Sequence, residues 1–366
     1  MKEHLRRESS RCRMPVYVAV DFHAREQTIS WCDTADGEVH RTKLRHQHDD
    51  VRKFYEQFSG EVIVAFEASG YSAWFEQMLA ELGHTVWLGN AAEIRRKAPR
   101  KQKNDRRDAD LMLDLMMKGD FPRVHTFSTE SRTVLRQLRY RHKLVKVRTI
   151  AKNSVHAIGI NAGLPLRGRL LTQTGLEQLQ ALPLSPVLSQ QRDEWLALIK
   201  LMNKQIGAVE ESLAQHAKDD AAVELLRTHP GIGLLTALAL RYTLDPIARF
   251  TSTRCVVGYA GLDCVEEQSS ERRRMGSISK QGSRLLRFLL NEAGQTAARQ
   301  DPQLKQFYRR LLRRRDKPKA KVAVARKLLV RSFIMLRDQI DYAEFVRRGV
   351  AARVARETHS PKVTDL

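Results

Sequence analysis

The sequence predicts an α/β domain at the N-terminus and a mainly α-helical region after it. Short β-prone runs alternate with helical segments as far as Pro122, and long stretches rich in Leu, Arg and Lys follow. Strands interleaved with helices are typical of a layered α/β architecture. The predicted parts are a polar tail, the α/β domain, a helical linker with a coiled-coil pattern, a second folded domain and a flexible tail, over residues 1–14, 15–122, 123–220, 221–350 and 351–366.

The α/β domain is expected to contain five strands. Asp36-Gly37 supplies a hairpin turn between the second and third strands, and Gly83 closes a helix. The strands are predicted at residues 16–20, 28–32, 39–44, 62–66 and 85–88, with helices at 49–58, 72–82 and from about 105 onward.

The helical region carries a heptad pattern. Apolar residues between Trp195 and Leu213 recur alternately four and three residues apart. This spacing predicts either a helical hairpin within one chain or a short coiled coil between two chains. Gly and Pro residues interrupt the helical pattern at 161–187, and a further helical segment begins near Ala221.

The chain is strongly basic, which predicts a polyanionic partner. Its 366 residues include 64 Lys and Arg against 42 Asp and Glu, so the formal net charge is +22. Such a surplus costs self-repulsion unless a polyanion neutralises it, and phosphate contacts supply most of the sequence-independent affinity for nucleic acid. An acidic membrane surface is the alternative partner. The spread of basic residues along the whole chain favours nucleic acid.

Membrane insertion, secretion and cysteine-based scaffolds are not expected. The sequence has no run of about 18 uncharged apolar residues, and its N-terminal residues lack an apolar signal core. The four cysteines form no CxxC pair, which disfavours a disulfide scaffold or a cysteine-ligated zinc site.

Four carboxylates of the first domain form a candidate metal site. Asp21 and Glu67 each follow an apolar strand directly, and Asp105 and Asp108 lie three residues apart at a helix start. Converging carboxylates repel one another unless a divalent cation neutralises them, and oxygen ligands suit Mg²⁺ or Mn²⁺. Taken singly, each acid is equally compatible with a cap, a turn or a first-turn acid of a helix. Asp110 is expected to lie on the surface.

Two further segments predict contacts with phosphate groups. The segment HPGIG at 229–233 resembles a helix-hairpin-helix turn, in which Gly231 and Gly233 let backbone N–H groups approach a phosphate. The alternative is an ordinary tight turn between helices. The second segment is the basic stretch 91–107, whose candidate nucleic-acid contacts are Arg95, Arg96 and Lys101.

An arginine-rich segment with two serines follows in the second domain. A serine there is a candidate nucleophile only if a base, a metal or nearby cations activate it. Composition alone favours a solvated loop serine. The candidate phosphate contacts in this segment are Arg272, Arg273, Arg274 and Lys280.

Taken together, these motifs resemble the DEDD transposases of bacterial insertion sequences, which are relatives of the Piv DNA invertase. The similarity covers about residues 15–345 and is carried, in the family's order, by VAVDFHA, AFEASGY, KNDRRDAD, HPGIG, GYAGL and SSERRRMGSISKQG. The resemblance implies an RNase H-like (RuvC-like) catalytic domain over 15–122 and a transposase domain with a helix-hairpin-helix over 221–350. It also implies that the metal ligands are Asp21, Glu67, Asp105 and Asp108.

The resemblance further implies a nucleophilic serine, which by its position is Ser269. The next residue is Ser270, where the common pattern has glycine, so Ser270 is the alternative nucleophile. Similar proteins excise and insert their own element through a covalent phosphoserine, and a structured bridge RNA pairs with donor and target DNA. A homodimer or homotetramer in the bacterial cytoplasm, associated with the nucleoid, is therefore expected.

Three other functions fit part of the sequence. A RuvC-type nuclease would cut branched DNA with metal-activated water and form no covalent intermediate. A noncatalytic nucleic-acid-binding protein would use only the positive charge. An actin-like or sugar-kinase-like ATPase is disfavoured because DFHA at 21–24 lacks the glycine-rich phosphate loop that such enzymes need after the aspartate.

Overall fold

The chain folds into two compact units that are divided between Thr126 and Phe127. The structure is a computed structural model. It describes residues 15–47, 49–98, 105–164, 170–269 and 272–359, with the backbone alone at 105, 266–269, 272–275 and 352–359. The predicted tail at 1–14 and the candidate residues Lys101 and Ser270 lie outside the described residues.

The first unit is an α/β domain built on a mixed five-stranded sheet. The strand order is β3-β2-β1-β4-β5, with β1 antiparallel to β2 and parallel to β4. All five predicted strands are present, so the predicted element order is confirmed. The elements are β1 (Val16–Phe22), β2 (Glu26–Asp33), β3 (Val39–Arg45), α1 (Asp50–Glu56), β4 (Val62–Glu67), α2 (Ala73–Glu81), β5 (Thr85–Gly89), α3 (Ala91–Lys97) and α4 (Asp105–Met117).

The central strands β1 and β4 are apolar on both faces because helices cover both sides of the sheet. Val18 and Val64 belong to a core cluster formed with α1 and α2, whereas Ala19 and Ala65 belong to a cluster formed with α3 and α4. Strands that are buried on two faces have continuous rather than alternating apolar runs. The edge strand β3 is exposed and charged instead.

The second unit is mainly helical, as the sequence predicts. Among its described residues, the regular elements are α-helices, one hairpin of two strands and a short 3₁₀ helix at Ile247–Arg249. The elements are α5 (Thr129–Asn161), α6 (Gln173–Gln180), α7 (Pro186–Ala217), α8 (Ala221–Arg227), α9 (Leu234–Leu244), α10 (Thr253–Tyr259), β6 (Cys264–Ser269), β7 (Arg272–Ile278), α11 (Arg284–Gln300), α12 (Pro302–Leu312), α13 (Lys317–Asp338) and α14 (Tyr342–His359).

The heptad pattern of α7 packs against α5 of the same chain. Met202 and Ile206 share a core cluster with Leu144. Polar pairs along the seam run in opposite directions on the two helices, so these helices are antiparallel. The pairs are Gln137 with Ser212 at 3.2 Å, Arg141 with Glu210 at 2.8 Å and Arg148 with Asn203 at 2.8 Å. The helical hairpin within one chain is therefore present.

Helices α8 to α13 surround one apolar core, and several begin at residues with capping side chains. Asp220, Ser252 and Ser283 each accept hydrogen bonds from backbone N–H groups of the first turn of α8, α10 and α11. Such caps satisfy donors that a helix start otherwise leaves unpaired. Among the described residues, no helix combines the length and the apolar character needed to cross a membrane.

Candidate functional site

Asp21 and Glu67 occupy equivalent positions at the ends of two paired parallel strands. The register pairs Val20 with Phe66, so the two acids come one step later on β1 and β4. Neighbouring strands are about 4.8 Å apart, and side chains alternate between the faces of a sheet. The alternation places both acids on the face that α4 covers. We call this end of β1 and β4, with its two acids, the carboxylate edge.

The carboxylate edge is partly shielded from solvent and contains a histidine that the sequence analysis did not single out. The Asp21 side chain is 16% exposed, and the His23 Nε2–H donates to its Oδ2 atom over 3.2 Å. His23 lies two residues after Asp21, just beyond the end of β1. The signal that was overlooked in the sequence is a histidine two residues after an acid at the end of a strand.

Asp105 and Asp108 lie in the first turns of α4. Asp108 is half-buried, and its neighbour Ala109 belongs to the cluster that contains Ala19 and Ala65. The side chain of Asp105 lies outside the described residues. Among the side chains that are described, no three His, Cys, Asp or Glu residues lie close enough together to hold a metal ion. The structure thus pairs Asp21 with Glu67, and the four-acid cluster stays a prediction.

Asp110 is partly exposed, with 34% of its side chain accessible, and it also attaches α4 to the sheet, which the prediction of a plain surface residue did not include. Its Oδ1 atom accepts hydrogen bonds from Ser30 Oγ at 2.7 Å and from Arg41 Nε at 2.8 Å. Ser30 lies on β2 and is fully buried. A buried hydroxyl needs a hydrogen-bond partner, and the carboxylate supplies it. Asp110 therefore holds in place the helix that carries Asp105 and Asp108.

The basic residues predicted on the first unit lie on an exposed helix. Arg95 and Arg96 are exposed on α3, and Arg96 also forms an ion pair with Glu93 at 3.6 Å. Asn90 caps this helix by accepting hydrogen bonds from Ala92 and Glu93. An exposed i,i+3 ion pair is weak, so it leaves Arg96 available to a phosphate.

Ser269 lies at the end of β6, at the tip of the β6–β7 hairpin. The ladder pairs Ser269 with Arg272, and the next two pairs place Arg273 and Arg274 opposite Gln268 and Glu267. The side chains of Ser269, Arg272, Arg273 and Arg274 lie outside the described residues. The backbone alone thus places the serine directly opposite Arg272, the first residue of the arginine run.

Two glycine motifs interlock at the base of this hairpin. A Cβ atom on Gly261 would lie 1.9 Å from the carbonyl oxygen of Gln281, and one on Gly282 would lie 2.0 Å from that of Tyr259. Lys280 adopts a left-handed conformation with φ of 56° and donates its backbone N–H to the Gly261 carbonyl at 3.2 Å. The GYAGL and SKQG segments therefore form one rigid support, on which the side chain of Lys280 is exposed.

The two glycines of the HPGIG turn have different environments. Gly231 has a φ of 91°, and a Cβ atom there would lie 2.5 Å from the backbone nitrogen of Ala297 on α11. Gly233 is the N-cap residue, which directly precedes α9, and a Cβ atom there would meet nothing within 4 Å. Close packing against α11 accounts for Gly231 without a phosphate. The predicted phosphate contact is best tested at Gly233.

A buried polar network lies beside the HPGIG turn. His229 donates its Nδ1–H to the Pro230 carbonyl at 2.9 Å, and Arg331 Nη1 donates to Asp301 Oδ2 at 2.8 Å and approaches His229 Nε2 at 3.4 Å. The Tyr342 hydroxyl also donates to Asp301. Burial, reinforced by the Arg331 charge, lowers the pKa of His229 to about 4. The native turn thus contains a neutral histidine.

We expect the second unit to lose stability as the pH falls from 7 to 5. The unfolded chain binds a proton at His229 near the ordinary pKa of 6.5, whereas the folded chain resists protonation down to about 4. The unfolded state therefore binds more protons in this window, and the free energy of unfolding falls by about 2 kcal/mol. Urea unfolding at both pH values measures the change. His229→Gln should flatten the pH dependence, and an unchanged slope in that variant would show that another group is responsible.

Comparisons with known proteins cover both units. A family model of a DEDD transposase of the IS110 type matches residues 18–158, and the model of the transposase IS116/IS110/IS902 family matches residues 223–309. The first matched region contains all four predicted acids, and the second contains the HPGIG turn and Ser269. Together they span more than half of the chain.

Curated proteins of several bacteria are similar over most of the same length. A probable family 20 transposase of Pseudomonas aeruginosa is 28% identical over 291 residues, which are 77% of this chain and 84% of that protein. The transposase for insertion sequence element IS1111A of Coxiella burnetii is 26% identical and covers 62% of this chain and 65% of its own. The transposase for insertion sequence element IS1328 of Yersinia enterocolitica is 28% identical over 62% of this chain and 68% of that protein.

The DEDD domain implies an RNase H-like fold, with which the mixed sheet of the first unit agrees. Two models of one transposase family match the chain in the order of its two units. On this evidence the chain belongs to the DEDD transposases of insertion sequences.

Proposed function

We propose that this transposase excises and inserts its own element by cutting and rejoining DNA strands through a covalent phosphoserine. The observation that carries the proposal is the carboxylate edge, where Asp21 and Glu67 occupy equivalent positions on paired strands within the region matched by the DEDD model. Two acids on one face of the sheet, with two more at the start of the helix on that face, supply the carboxylate oxygens that can hold the divalent cations of phosphodiester chemistry.

The residues of the carboxylate edge fit a divalent cation. Their donors are carboxylate oxygens, which Mg²⁺ and Mn²⁺ prefer, and the Asp21 side chain is mostly shielded from water. Asp21, Glu67, Asp105 and Asp108 would hold the cations. When bound, the cations stabilise the negative charge that develops on the phosphate during displacement.

Ser269 is the proposed nucleophile. Its Oγ atom forms a bond to phosphorus while one P–O bond of the DNA backbone breaks, and the departing deoxyribose oxygen takes up a proton. The phosphoserine conserves the energy of the broken bond, so a hydroxyl end of another strand can displace the serine and rejoin the DNA. Cations lower the cost of deprotonating a serine. The position of Arg272 opposite Ser269 in the ladder supports this assignment.

The proposed partners follow from the reaction and the charge. Excision and insertion involve donor and target DNA, and joining two duplexes calls for more than one active centre, which favours a homodimer or homotetramer. A bridge RNA encoded by the element is proposed to select both sites by base pairing. The net charge of +22 suits a protein that binds RNA and DNA backbones together.

The identity of the nucleophile is tested with matched serine variants. The full-length protein is incubated with end-labelled DNA of the element junction, Mg²⁺ and the RNA that copurifies with it. Denaturing gels then reveal any protein–DNA adduct. The wild type and Ser270→Ala should form the adduct, and Ser269→Ala should form none, because alanine has no hydroxyl to attack phosphorus.

Two outcomes would contradict the proposal. An adduct that persists in Ser269→Ala and disappears in Ser270→Ala would show that Ser270, and not Ser269, is the nucleophile. Cleavage without any adduct in all three proteins would indicate a nuclease that uses metal-activated water.

A further inference from the structure

Two exposed aromatic side chains follow β4, the strand that ends at Glu67. Tyr71 is 73% exposed and Trp74 is 44% exposed. Both follow Glu67 closely in the chain, in the loop before α2 and in its first turn. The centroid of the Trp74 ring lies 5.9 Å from that of Phe22, which follows Asp21 directly. Phe22 packs on the α1 and α2 side of the sheet, so the Trp74 ring lies at the same end of β1 as Asp21 but on the opposite face of the sheet.

A basic cavity lies next to the Trp74 ring. It has a volume of about 760 Å³, and its lining includes His23, Arg25, Arg45 and His46. The His46 ring lies 5.0 Å from Phe22 and 5.0 Å from Trp74, so it connects the cavity to the aromatic side chains. The cavity also contains Glu26, whose carboxylate pairs with Lys43 Nζ at 2.7 Å. Because Lys43 neutralises the Glu26 carboxylate, the net charge of the cavity is positive and comes from Arg25 and Arg45.

Exposed aromatic rings next to cations match the chemistry of an unpaired nucleotide. Single apolar residues on a surface are common and need no explanation. Here, two exposed rings lie three residues apart after β4, and His23, which lines the neighbouring basic cavity, donates a hydrogen bond to Asp21 of the carboxylate edge. Aromatic rings bind nucleic acid by stacking on bases, and only a base that has left the duplex offers its face.

We propose that Trp74, assisted by Tyr71, stacks on an unpaired base of the DNA strand whose phosphate is held at the carboxylate edge. Arg25 and Arg45 contact the adjoining phosphates. The inference rests on the proposed function, since it assumes that DNA is cut at this edge. Strand exchange requires bases near the cut to leave their duplex, and stacking offsets part of the cost of unpairing.

The test compares two DNA probes that differ only in pairing. One is a fully paired duplex, and the other carries three unpaired bases with 2-aminopurine at the centre. Both are bound to the full-length protein with Ca²⁺ in place of Mg²⁺ and without the copurifying RNA. Wild type is expected to prefer the unpaired probe and to quench its 2-aminopurine fluorescence, because a stacked base loses emission.

Trp74→Leu should lower the preference for the unpaired probe about tenfold, while the affinity for the paired duplex stays within about twofold. Leucine retains the packing against Phe22 but offers no ring for stacking. Trp74→Phe should retain most of the preference. Tyr140→Ala, which removes an equally exposed ring on α5, is the matched control and should leave the preference unchanged. The thermal unfolding midpoint of each variant reports whether it is folded.

Three outcomes separate this inference from the proposed function. An unchanged preference and quenching in Trp74→Leu would overturn the stacking subsite and leave the transposase proposal intact. If Trp74→Leu loses affinity for a single-stranded RNA of the same sequence but keeps the wild-type preference for the unpaired DNA probe, the choice of DNA as the stacked strand would be overturned. Failure of the wild type to bind either DNA probe, both without and with the copurifying RNA, would count against the proposed function itself.

Discussion

Replacing Asp21 by asparagine is expected to lower the rate of DNA strand cleavage by about 100-fold or more. The change keeps the shape of the side chain but removes one of the charges proposed to hold a divalent cation at the carboxylate edge. Loss of a single electrostatic group aimed at a reacting centre commonly costs about 10² to 10³ in rate. DNA binding should not weaken, because the variant presents less negative charge to a phosphate. Cleavage of end-labelled DNA over a range of Mg²⁺ concentrations is the measurement.

Asp114→Asn is the matched control on the first unit. Asp114 is an exposed acid of α4 that pairs with Lys118 at 2.7 Å in an i,i+4 arrangement. Exposed pairs of this kind contribute little to stability, so cleavage should stay within about twofold of wild type. Equal rates for Asp21→Asn and Asp114→Asn would show that the carboxylate edge does not take part in the reaction.

Replacing Gly261 by alanine is expected to destabilise the second unit by about 3 kcal/mol or more. The added Cβ would lie 1.9 Å from the carbonyl oxygen of Gln281, and Gly261 has a φ of 67°, which a side chain rarely adopts. Neither backbone can move away easily, because Lys280 and Ser279 connect the two segments by backbone hydrogen bonds. Thermal unfolding followed by far-UV circular dichroism measures the loss.

Gly258→Ala provides the comparison for this substitution. Gly258 lies within α10, where a Cβ atom would meet nothing within 4 Å. Alanine in place of glycine inside a helix is neutral to stabilising by up to about 1 kcal/mol. A Gly261→Ala protein as stable as Gly258→Ala would mean that the two glycine motifs do not support the hairpin as described.

The strand ends show how far local patterns predict a site. Continuous apolar runs ending at Asp21 and Glu67 predicted both strands and an acid at the end of each. For the two acids to lie side by side, β1 must also pair with β4 rather than with another strand. Pairing is a long-range contact, and an isolated apolar run carries no record of its partner. The structure supplies that pairing, and it puts the two acids at equivalent positions on neighbouring strands.

Asp110 shows where local patterns fail. Its place on the helix indicated a solvent-facing residue, because neighbours in the sequence reveal the periodicity of a helix but not the polar groups of a sheet beneath it. Its partner Ser30 is 80 residues away in the chain. Gly231 likewise has a neighbour that no local pattern reveals, because a Cβ atom there would meet Ala297 of α11. The predicted phosphate contact of its backbone stays a prediction.

The exposure of Tyr71 and Trp74 is a second feature that local patterns do not reveal. Large aromatic residues after an apolar strand are usually core residues, and Phe75, their neighbour in the chain, is fully buried. Their exposure depends on how the loop leaves β4 and how α2 begins, so it became visible only once the helix was packed on the sheet.

Composition, periodicity and motif order were enough to predict a basic chain with an N-terminal α/β domain of five strands, a mainly helical remainder and the family to which the chain belongs. These properties depend on residues close together in the chain, or on their order along it. The partners of Ser30 and Gly231, the exposure of Trp74 and the interlocked base of the hairpin depend on contacts between distant segments. Such contacts form only when the segments bury their apolar faces against one another, and no local pattern contains that information.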